Sequence, residues 1–360
     1  MPADSGAFTL ILEPTRQCNL RCMYCYSDCA SAGIMSGRTL RRAIESGVRY
    51  AEQRGFGQIN VLWHGGEPLL AGLPFFRLAT EIANGVSSTL SFHHFIQTNG
   101  LALDTDFCSF FRDHGFQIGL SLDGPSDLHD RMRIFPDGRG THGLILKRLS
   151  LLEKHGLTMG FNAVVTRHSL GQEERLYRFF QDLGYGFRVN PVIPGMIGKS
   201  APYLLQPGEY GQFLCALFQR WTATESRRIR VSPLDRYLKA LLGGVPHECQ
   251  QRSTCAGLQI GVKPSGDVLL CSRFDAPVLG NIHGMEIEEM LGAEWCKEIE
   301  QRSEKLSSCR SCPFWNICHG GCPHNALVFC GNQMKKDPFC KDYQLIFGTL
   351  GRVLEDLRRK

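Results

Sequence analysis

The sequence predicts an α/β fold: a parallel sheet of six strands, followed by a smaller cysteine-rich region. In residues 1–195, β-rich runs alternate with segments of helical spacing, and in residues 246–343 cysteines and turn residues replace that periodicity. Alternating strands and helices are typical of right-handed βα units, which build parallel sheets. Periodicity leaves two arrangements open, an open six-stranded β/α barrel and a doubly wound sheet.

The individual elements follow from local spacing. The first helical segment has Leu40, Ile44, Val48 and Ala51 on one stripe, with charged residues on the other side. Two further helical stretches are predicted at 210–221 and 233–242, and a terminal helix at 344–357. The strands are predicted at 8–12, 58–63, 91–98, 116–122, 157–166 and 187–193, and the intervening helices at 39–54, 74–84, 104–114, 141–155 and 169–183.

Composition excludes several classes of protein. Forty basic and 35 acidic residues leave a net charge of +5, too mild for a nucleic-acid or membrane-surface partner. The chain has no long apolar run and no signal peptide at its beginning, so we expect no membrane span and a cytoplasmic location. Its 16 cysteines would then meet a reducing compartment, which favours metal or cluster ligation over a disulfide framework.

Three of these cysteines share one loop directly after the first strand. Cys18, Cys22 and Cys25 can hold three irons of a 4Fe–4S cluster and leave the fourth iron open to a substrate or cofactor. A zinc site is the alternative, with a distant fourth ligand such as Cys29.

Three further motifs follow the next three strands. In a β/α barrel the carboxyl ends of the strands share one face, and that face holds the active site. Paired glycines allow close backbone approach, and a glutamate can accept a hydrogen bond from an ammonium group. The motifs are His64-Gly65-Gly66-Glu67-Pro68, Gln97-Thr98-Asn99-Gly100, and Ser121-Leu122-Asp123-Gly124-Pro125 with Arg133 downstream.

The spacing of Cys18, Cys22 and Cys25, with these motifs, resembles the signature of the radical S-adenosylmethionine (SAM) superfamily. The resemblance implies a partial (β/α)6 barrel of the TIM type. It also implies that the open iron binds SAM, whose reductive cleavage releases methionine and a 5′-deoxyadenosyl radical. The residues that it places around SAM are Tyr24 near the adenine, Gly65, Gly66, Glu67 and Pro68 near the amine, and Asn99, Ser121 and Arg133.

Eight cysteines in the last third of the chain resemble the SPASM domain of radical SAM peptide maturases. The resemblance implies two auxiliary 4Fe–4S clusters, although a zinc ribbon would also explain the block from Cys309 to Cys322. Cys29, Cys108, Cys215, Cys296 and Cys330 remain unassigned, and Cys108 and Cys215 fit buried helix positions. The implied ligand sets are Cys249, Cys255, Cys271 and Cys322 for the inner cluster, and Cys309, Cys312, Cys318 and Cys340 for the outer one.

Over residues 10–343 the chain resembles anaerobic sulfatase maturases and related maturases of ribosomally made peptides. In sulfatase maturases an aspartate follows the cysteine that corresponds to Cys271 and acts as the base in forming formylglycine. Here Ser272 occupies that position, and Asp275 is displaced by three residues, so both are only weak candidates for the catalytic base. Because serine is a poor base without help, the departure favours an intramolecular crosslink (C–C, C–O or thioether) in a ribosomally synthesised peptide. The alternatives are formylglycine formation, a non-enzymatic iron–sulfur or zinc protein, and a radical SAM enzyme that acts on a small molecule, although such enzymes usually carry fewer cysteines in their C-terminal domains.

The resemblance also implies a domain plan and partners. We expect a radical SAM partial barrel at 1–195, a bridging region at 196–245, a SPASM auxiliary-cluster domain at 246–343 and a C-terminal helix at 344–360. The expected partners are a leader-containing precursor peptide and a flavodoxin- or ferredoxin-type reductant, with no nucleic acid and no membrane. The first predicted strand begins by Phe8, so no leader-binding domain is expected ahead of the barrel.

Overall fold

A computed structural model describes residues 6–27, 33–86, 89–194, 201–224 and 229–359. The chain forms two compact units, each assembled from three stretches of sequence. Unit 1 comprises Met1–Ser121, Arg133–Met159 and Ala256–Lys297, and unit 2 comprises Leu122–Met132, Gly160–Cys255 and Glu298–Lys360.

The sheet of unit 1 has the strand order β10-β9-β8-β1-β2-β3-β4. Strands β8, β1, β2, β3 and β4 are parallel, and β9 and β10 are antiparallel additions at one edge. Leu12 at the end of β1 is level with Trp63 of β2 and Val262 of β8, so three strands finish side by side. Their bounds are β1 Ala7–Leu12, β2 Gln58–Trp63, β3 Ser91–Thr98, β4 Gln117–Ser121, β8 Gln259–Val262, β9 Asp267–Leu269 and β10 Gly280–Asn281.

In unit 2, three parallel strands pair in the order β5-β6-β7. Their bounds are β5 Met159–Val165, β6 Phe187–Pro191 and β7 Val231–Ser232.

The helices begin and end where capping chemistry dictates. The Ser36 hydroxyl accepts a hydrogen bond from the Thr39 amide (3.0 Å) to begin the first helix, and Gly184, with φ of +81°, ends the sixth. The helices are α1 Gly37–Gln53, α2 Leu73–Val86, α3 Thr105–Asp113, α4 Ser126–Met132, α5 His142–Lys154, α6 Glu173–Leu183, α7 Glu209–Ala223, α8 Leu234–Gly243, α9 Ile287–Leu291, α10 Glu294–Lys305, α11 Trp315–Cys318, α12 Pro323–Cys330 and α13 Cys340–Arg359, with short 3-10 helices at Pro68–Ala71, Arg167–Ser169, Cys249–Gln251 and Ser307–Cys309.

Aromatic side chains fill the interior of each unit. In unit 1 the ring of Phe76 packs edge-on against Trp63 at 5.5 Å and against Phe111 at 6.0 Å, and all three are buried. In unit 2 the buried rings of Phe180 and Phe187 stack at 4.3 Å. These contacts fix helices α2, α3 and α6 on the strands, so the strand ends that carry the sequence motifs are held rigidly.

The α/β fold with a parallel sheet is confirmed, and each of the six predicted strands is present within two residues of its predicted ends. The stripe on α1 is buried as predicted. Sequence periodicity missed the seven-residue helix α4 and all elements from β8 to α12. Apart from α10, those elements are short, and a strand of four residues or fewer carries no usable period. The predicted terminal helix lies inside α13, which begins at Cys340.

The described helices include none that is both long and apolar enough to span a membrane.

Candidate functional site

The loop that follows β1 carries Cys18, Cys22 and Cys25 and is held mainly through its backbone. The Leu20 amide donates to the Cys18 sulfur at 3.4 Å, and the Cys25 amide donates to the Cys22 carbonyl at 3.0 Å. The Arg21 amide donates to the Ile134 carbonyl at 2.8 Å, which attaches the loop to the segment after Arg133. The three thiols are half-buried in a constrained loop of unit 1.

The turn after β2 packs directly on the entrance to this loop. The Gly66 amide donates to the Thr15 carbonyl at 3.1 Å, and the Glu67 amide donates to the Gln17 carbonyl at 2.8 Å. A Cβ atom on Gly66 would lie much closer to the Gln17 and Arg16 carbonyl oxygens than van der Waals contact allows. A Cβ atom on Gly65 would lie 2.7 Å from the Thr15 carbonyl oxygen. The paired glycines are therefore required for this backbone contact.

Glu67 connects the end of β2 to the end of β3. Its carboxylate accepts hydrogen bonds from the Thr98 hydroxyl (2.6 Å), the Asn99 amide (2.8 Å) and the Leu69 amide (3.1 Å). Burial raises the pKa of Glu67 to about 7, although these three hydrogen bonds act in the opposite direction. The next residue, Pro68, is buried and starts a short 3-10 helix.

The remaining predicted SAM contacts in unit 1 form two pairs of neighbours. The Asn99 side-chain amide donates to Asn19 at 2.8 Å and to the Cys18 sulfur at 3.8 Å. The Arg133 guanidinium lies 5.4 Å from the ring centroid of Tyr24, a cation–π contact. The structure thus brings Asn99 to the first cysteine of the loop and Arg133 to the aromatic residue before the third. Elsewhere the Ser121 hydroxyl is buried and accepts a hydrogen bond from the Gln97 amide at 2.9 Å.

A charge cluster that sequence reasoning missed lies at the same strand ends. Glu13 and Lys263 come directly after β1 and β8, which are adjacent in the sheet. The Asp275 carboxylate lies 3.2 Å from Arg16 and 3.5 Å from Lys263, and Arg16 lies 3.7 Å from Glu13. Burial raises the pKa of Glu13 to about 6 against the opposing charges of Arg16 and Lys263. A charged residue one position beyond a buried strand is the sequence signal that could have identified Glu13.

His64 lies at the same edge of the sheet as Glu13 and Lys263. It follows β2, and its backbone amide donates to the Leu12 carbonyl at 2.9 Å. Burial, reinforced by the positive charge of Arg273, lowers the pKa of His64 to about 4, so the ring is neutral near pH 7. Burial also raises the pKa of Tyr26, one residue past Cys25. Ser272, the residue after Cys271, is half-buried.

In unit 2, four cysteines line one cavity. Cys309, Cys312, Cys318 and Cys340 surround a space of about 50 Å³, and the remaining wall includes Trp315 and Tyr343. Within the described ranges, no three His, Cys, Asp or Glu side chains converge to hold a single metal ion. Four thiols are the usual ligand set of a 4Fe–4S cluster, so the residues present fit such a group.

The other cysteines of the second group are divided between the units. Cys249, Cys255 and Cys322 belong to unit 2, and Cys271 belongs to unit 1. Of the unassigned cysteines, Cys108 and Cys296 are buried, Cys215 is half-buried and Cys330 is exposed. Cys29 lies outside the described residues. The 15 described cysteines form no disulfide.

Comparison with known families matches the first cysteine group and, of the second group, Cys255, Cys271, Cys309 and Cys312. Residues 12–180 match the radical SAM superfamily, and residues 254–313 match SPASM, an iron–sulfur cluster-binding domain. The chain belongs to the radical SAM superfamily. A radical SAM enzyme that also contains a SPASM domain carries a SAM-binding 4Fe–4S cluster together with auxiliary clusters.

Similarity to other proteins extends over nearly the whole chain. A serine-type anaerobic sulfatase-maturating enzyme from Bacteroides thetaiotaomicron is 28% identical over all of this chain and 93% of its own length. An uncharacterized protein from Synechocystis is 31% identical over 88% of this chain and 83% of its own length. A solved structure of native anSMEcpe with bound AdoMet and Cp18Cys peptide superposes with a TM-score of 0.87 at 25% identity, covering 98% of this chain and 99% of that one.

The Gly66 contact gives a first prediction. Gly66→Ala should lower the free energy of unfolding by about 1–3 kcal/mol, because the new methyl group meets main-chain oxygens that cannot move independently of the cysteine loop. It should also reduce the iron bound per chain. Urea unfolding and iron analysis of anaerobically purified protein measure both effects.

Gly85→Ala is the matched control, since Gly85 lies in α2 with open space around it and alanine favours helices. Equal stability and iron content in the two variants would contradict the role given to the glycine turn.

The buried carboxyl group of Glu13 predicts a pH effect on stability. The folded state raises its pKa from 4.5 to about 6, so folding takes up a proton between these values and stability falls as the pH rises through this window. The loss should reach about 2 kcal/mol above pH 6 relative to Glu13→Gln, which does not titrate. Denaturant unfolding at a series of pH values measures the difference. Glu355→Gln, at an exposed position of α13, should follow the wild-type profile, and parallel curves for wild type and Glu13→Gln would refute the prediction.

Proposed function

We propose that this radical SAM enzyme oxidatively modifies a side chain of a peptide or protein, and that the modification is an intramolecular crosslink in a ribosomally synthesised peptide. The sulfatase-maturating relatives act on protein side chains, and the superposable anSMEcpe structure binds both AdoMet and a peptide. The departure at Ser272 supports the crosslink. The peptide substrate, a precursor with a leader, and a flavodoxin- or ferredoxin-type reductant are parts of the proposal, as are the domain boundaries predicted above.

The SAM site is assigned to unit 1. Cys18, Cys22 and Cys25 would hold the SAM-binding cluster, because backbone hydrogen bonds at residues 15, 17 and 21 hold their loop and the thiols remain partly accessible. When bound, the cluster and SAM supply a 5′-deoxyadenosyl radical that abstracts a hydrogen atom from the substrate. The residues proposed to surround SAM are Tyr24, Gly65, Gly66, Glu67, Pro68, Asn99, Ser121 and Arg133.

Each of these residues has a role that its contacts support. The close backbone approach at Gly65 and Gly66 leaves main-chain carbonyls at the turn, where the SAM ammonium would bind, and Glu67 keeps that turn beside Asn99. Arg133 holds the ring of Tyr24 through its cation–π contact, which orients a flat surface for the adenine. Most of these groups are buried, so the site excludes water from a reactive radical.

The auxiliary clusters are assigned to the second cysteine group. Cys309, Cys312, Cys318 and Cys340 would hold the outer cluster, since these four thiols line one cavity. Cys249, Cys255, Cys271 and Cys322 would hold the inner one. Clusters of this kind exchange single electrons, as an oxidation started by a radical requires.

The observation that carries the crosslink proposal is the position of Asp275. Sulfatase maturases have an aspartate directly after the cysteine that corresponds to Cys271, and here Ser272 stands there. Asp275 is the first carboxylate beyond it, and Arg16 and Lys263 both form ion pairs with that carboxylate. The Asp275 carboxylate would have to leave both ion pairs to reach a substrate, and an unassisted serine is a poor base. We therefore infer that neither weak candidate, Ser272 or Asp275, replaces the aspartate of the sulfatase maturases.

Formylglycine formation is the second candidate. It is favoured by the sulfatase-maturating relatives, whose similarity covers 94–100% of this chain.

The test compares both substrate classes in one assay. Anaerobically reconstituted protein is incubated with dithionite, SAM and either a Cys-x-Pro-x-Arg peptide, its serine counterpart, or the precursor-like peptides encoded beside the gene. Crosslinking removes a pair of hydrogen atoms from the peptide and leaves it unreactive to a hydrazine probe. Formylglycine instead gives an aldehyde that the probe captures, so capture from the first two peptides would overturn the crosslink proposal.

Replacement of the first cysteine group gives a clear prediction. The Cys18→Ala, Cys22→Ala, Cys25→Ala triple variant should lose 5′-deoxyadenosine release and keep about two thirds of the iron, because two of three clusters would remain. Iron and sulfide analysis and chromatography of the nucleoside products measure this. Cys108→Ala, at a buried helix position, is the control and should keep both iron and release. Release by the triple variant would disprove the assignment.

Ser272 distinguishes the two reactions. Ser272→Ala should change turnover by less than about twofold if the serine is not a base. Turnover of whichever peptide proves to be the substrate, measured by mass spectrometry, tests this. A loss of two or more orders of magnitude, with SAM cleavage retained, would mean that Ser272 takes part in the chemistry.

A further inference from the structure

Arg302 is a buried cation whose partners are main-chain carbonyls. It lies in α10, is 3% exposed, and donates to four carbonyl oxygens. The distances are 2.8 Å to Gly321, 3.0 Å to Gly320, 2.6 Å to Lys335 and 2.7 Å to Gln333. Burying a guanidinium group without hydrogen-bond partners is energetically costly. Here four carbonyl oxygens accept hydrogen bonds from its donors, so the pocket is specific for this group.

The four carbonyls belong to the two loops that present cysteines. Gly320 and Gly321 lie between Cys318 and Cys322, in a run of left-handed residues with φ of 49°, 86° and 76° from His319 to Gly321. Gln333 and Lys335 lie in the loop that leads to Cys340. Arg302 therefore fixes both loops relative to each other by one rigid, planar group.

Asp337 secures the same loops from the other side. Its carboxylate accepts hydrogen bonds from the Cys322 amide (2.8 Å), the Asn325 side chain (2.9 Å) and the Phe339 amide (2.9 Å), and it is 1% exposed. A Cβ atom on Gly321 would overlap the Asp337 side chain, so the glycine loop packs directly on it. The backbone of Cys322 is thus held by Asp337 while the preceding two residues are held by Arg302.

The charge of Arg302 acts on cysteines of both auxiliary sets. Burial lowers the pKa of Arg302, and the charges of Asp337, Cys322, Cys255 and Cys309 act in the opposite direction. Cys255 and Cys322 belong to the proposed inner set, and Cys309 belongs to the outer one. Water screens a cation in the protein interior less than it screens an exposed one.

We propose that Arg302 is a positioning residue that raises the reduction potentials of both auxiliary clusters. This inference rests on the ligand sets given under the proposed function. Reduction adds one electron and no proton to a cluster, which makes it more negative by one charge, so a fixed nearby cation stabilises the reduced form. Asp337 opposes this effect, and the pair sets how readily the clusters accept an electron.

The test is an EPR-monitored redox titration with dithionite as the reductant. It uses full-length protein carrying the Cys18→Ala, Cys22→Ala, Cys25→Ala changes, so that the auxiliary clusters give the signal. At a fixed solution potential, Arg302→Gln should lower the ratio of reduced to oxidised cluster about tenfold, which for a one-electron couple is ~59 mV. Both auxiliary signals should move in this direction. Arg302→Lys keeps the charge and should stay within about threefold of the unsubstituted ratio.

Arg310→Gln is the matched control. Arg310 directly follows Cys309 in sequence but is exposed, so water screens its charge and the ratio should not change. Asp337→Asn removes a negative charge and should therefore raise the ratio of reduced to oxidised cluster. This variant still tests the inference if Arg302→Gln binds too little iron to be titrated.

The outcomes separate this inference from the proposed function. Auxiliary signals that persist at unchanged potential in Arg302→Gln would overturn the inference and leave the cluster assignment intact. If Arg302→Gln binds too little iron, the inference depends on Asp337→Asn. An unchanged or lowered ratio of reduced to oxidised cluster in that variant would overturn the inference. Zinc in place of iron in otherwise unsubstituted protein would overturn both.

Discussion

The contact between the Gly65–Gly66 turn and the backbone of residues 15–17 is the constraint on which the first cysteine loop of unit 1 depends. It leaves no space for a side chain, so β2 and the cysteine loop are joined backbone to backbone. Glu67 then transmits this position to β3 through Thr98 and Asn99. Asn99 in turn reaches the first cysteine, Cys18. The motifs after three consecutive strands therefore form one connected hydrogen-bonded structure, and displacement of the turn would displace the thiols.

The two units use buried charge in the same way. In each unit, main-chain donors or acceptors from separate loops form hydrogen bonds with a buried charged side chain. These side chains are Glu67 in unit 1 and Asp337 and Arg302 in unit 2. Buried charges without partners destabilise a protein, so these loops must stay in place for the charge to be tolerated. A buried charge bonded in this way constrains the geometry of a loop more strictly than an exposed ion pair does. The pair between Arg139 and Asp137 is an example of the exposed kind. It suits loops that must present thiols at defined positions.

Sequence patterns predicted the parallel sheet because its strands are long enough to show alternation and the first four are each followed by a motif. They could not predict β8, whose four residues pair with β1 through contacts remote in sequence. The same limit applies to Arg302, since its acceptors lie 18 to 33 residues further along the chain. Glu13 and Lys263 are recognisable as strand-end residues, but their proximity to Asp275 depends on β8 lying next to β1. Local spacing therefore found the cysteines and the glycine turn, and missed the groups that position them.

The charge cluster at the ends of β1 and β8 bears on how far similarity to sulfatase maturases extends to the reaction. Similarity over the whole chain reflects the shared scaffold, whereas the proton acceptor depends on one or two side chains. Here the residue after Cys271 is a serine, and the first carboxylate beyond it is neutralised by Arg16 and Lys263. Both cations are largely buried while the Asp275 side chain is 54% exposed, so the two ion pairs engage this carboxylate at the surface of the protein. Crosslinking by attack of a substrate radical does not need a carboxylate at that position to activate a substrate thiol or hydroxyl, which is why the local charges favour it over formylglycine formation.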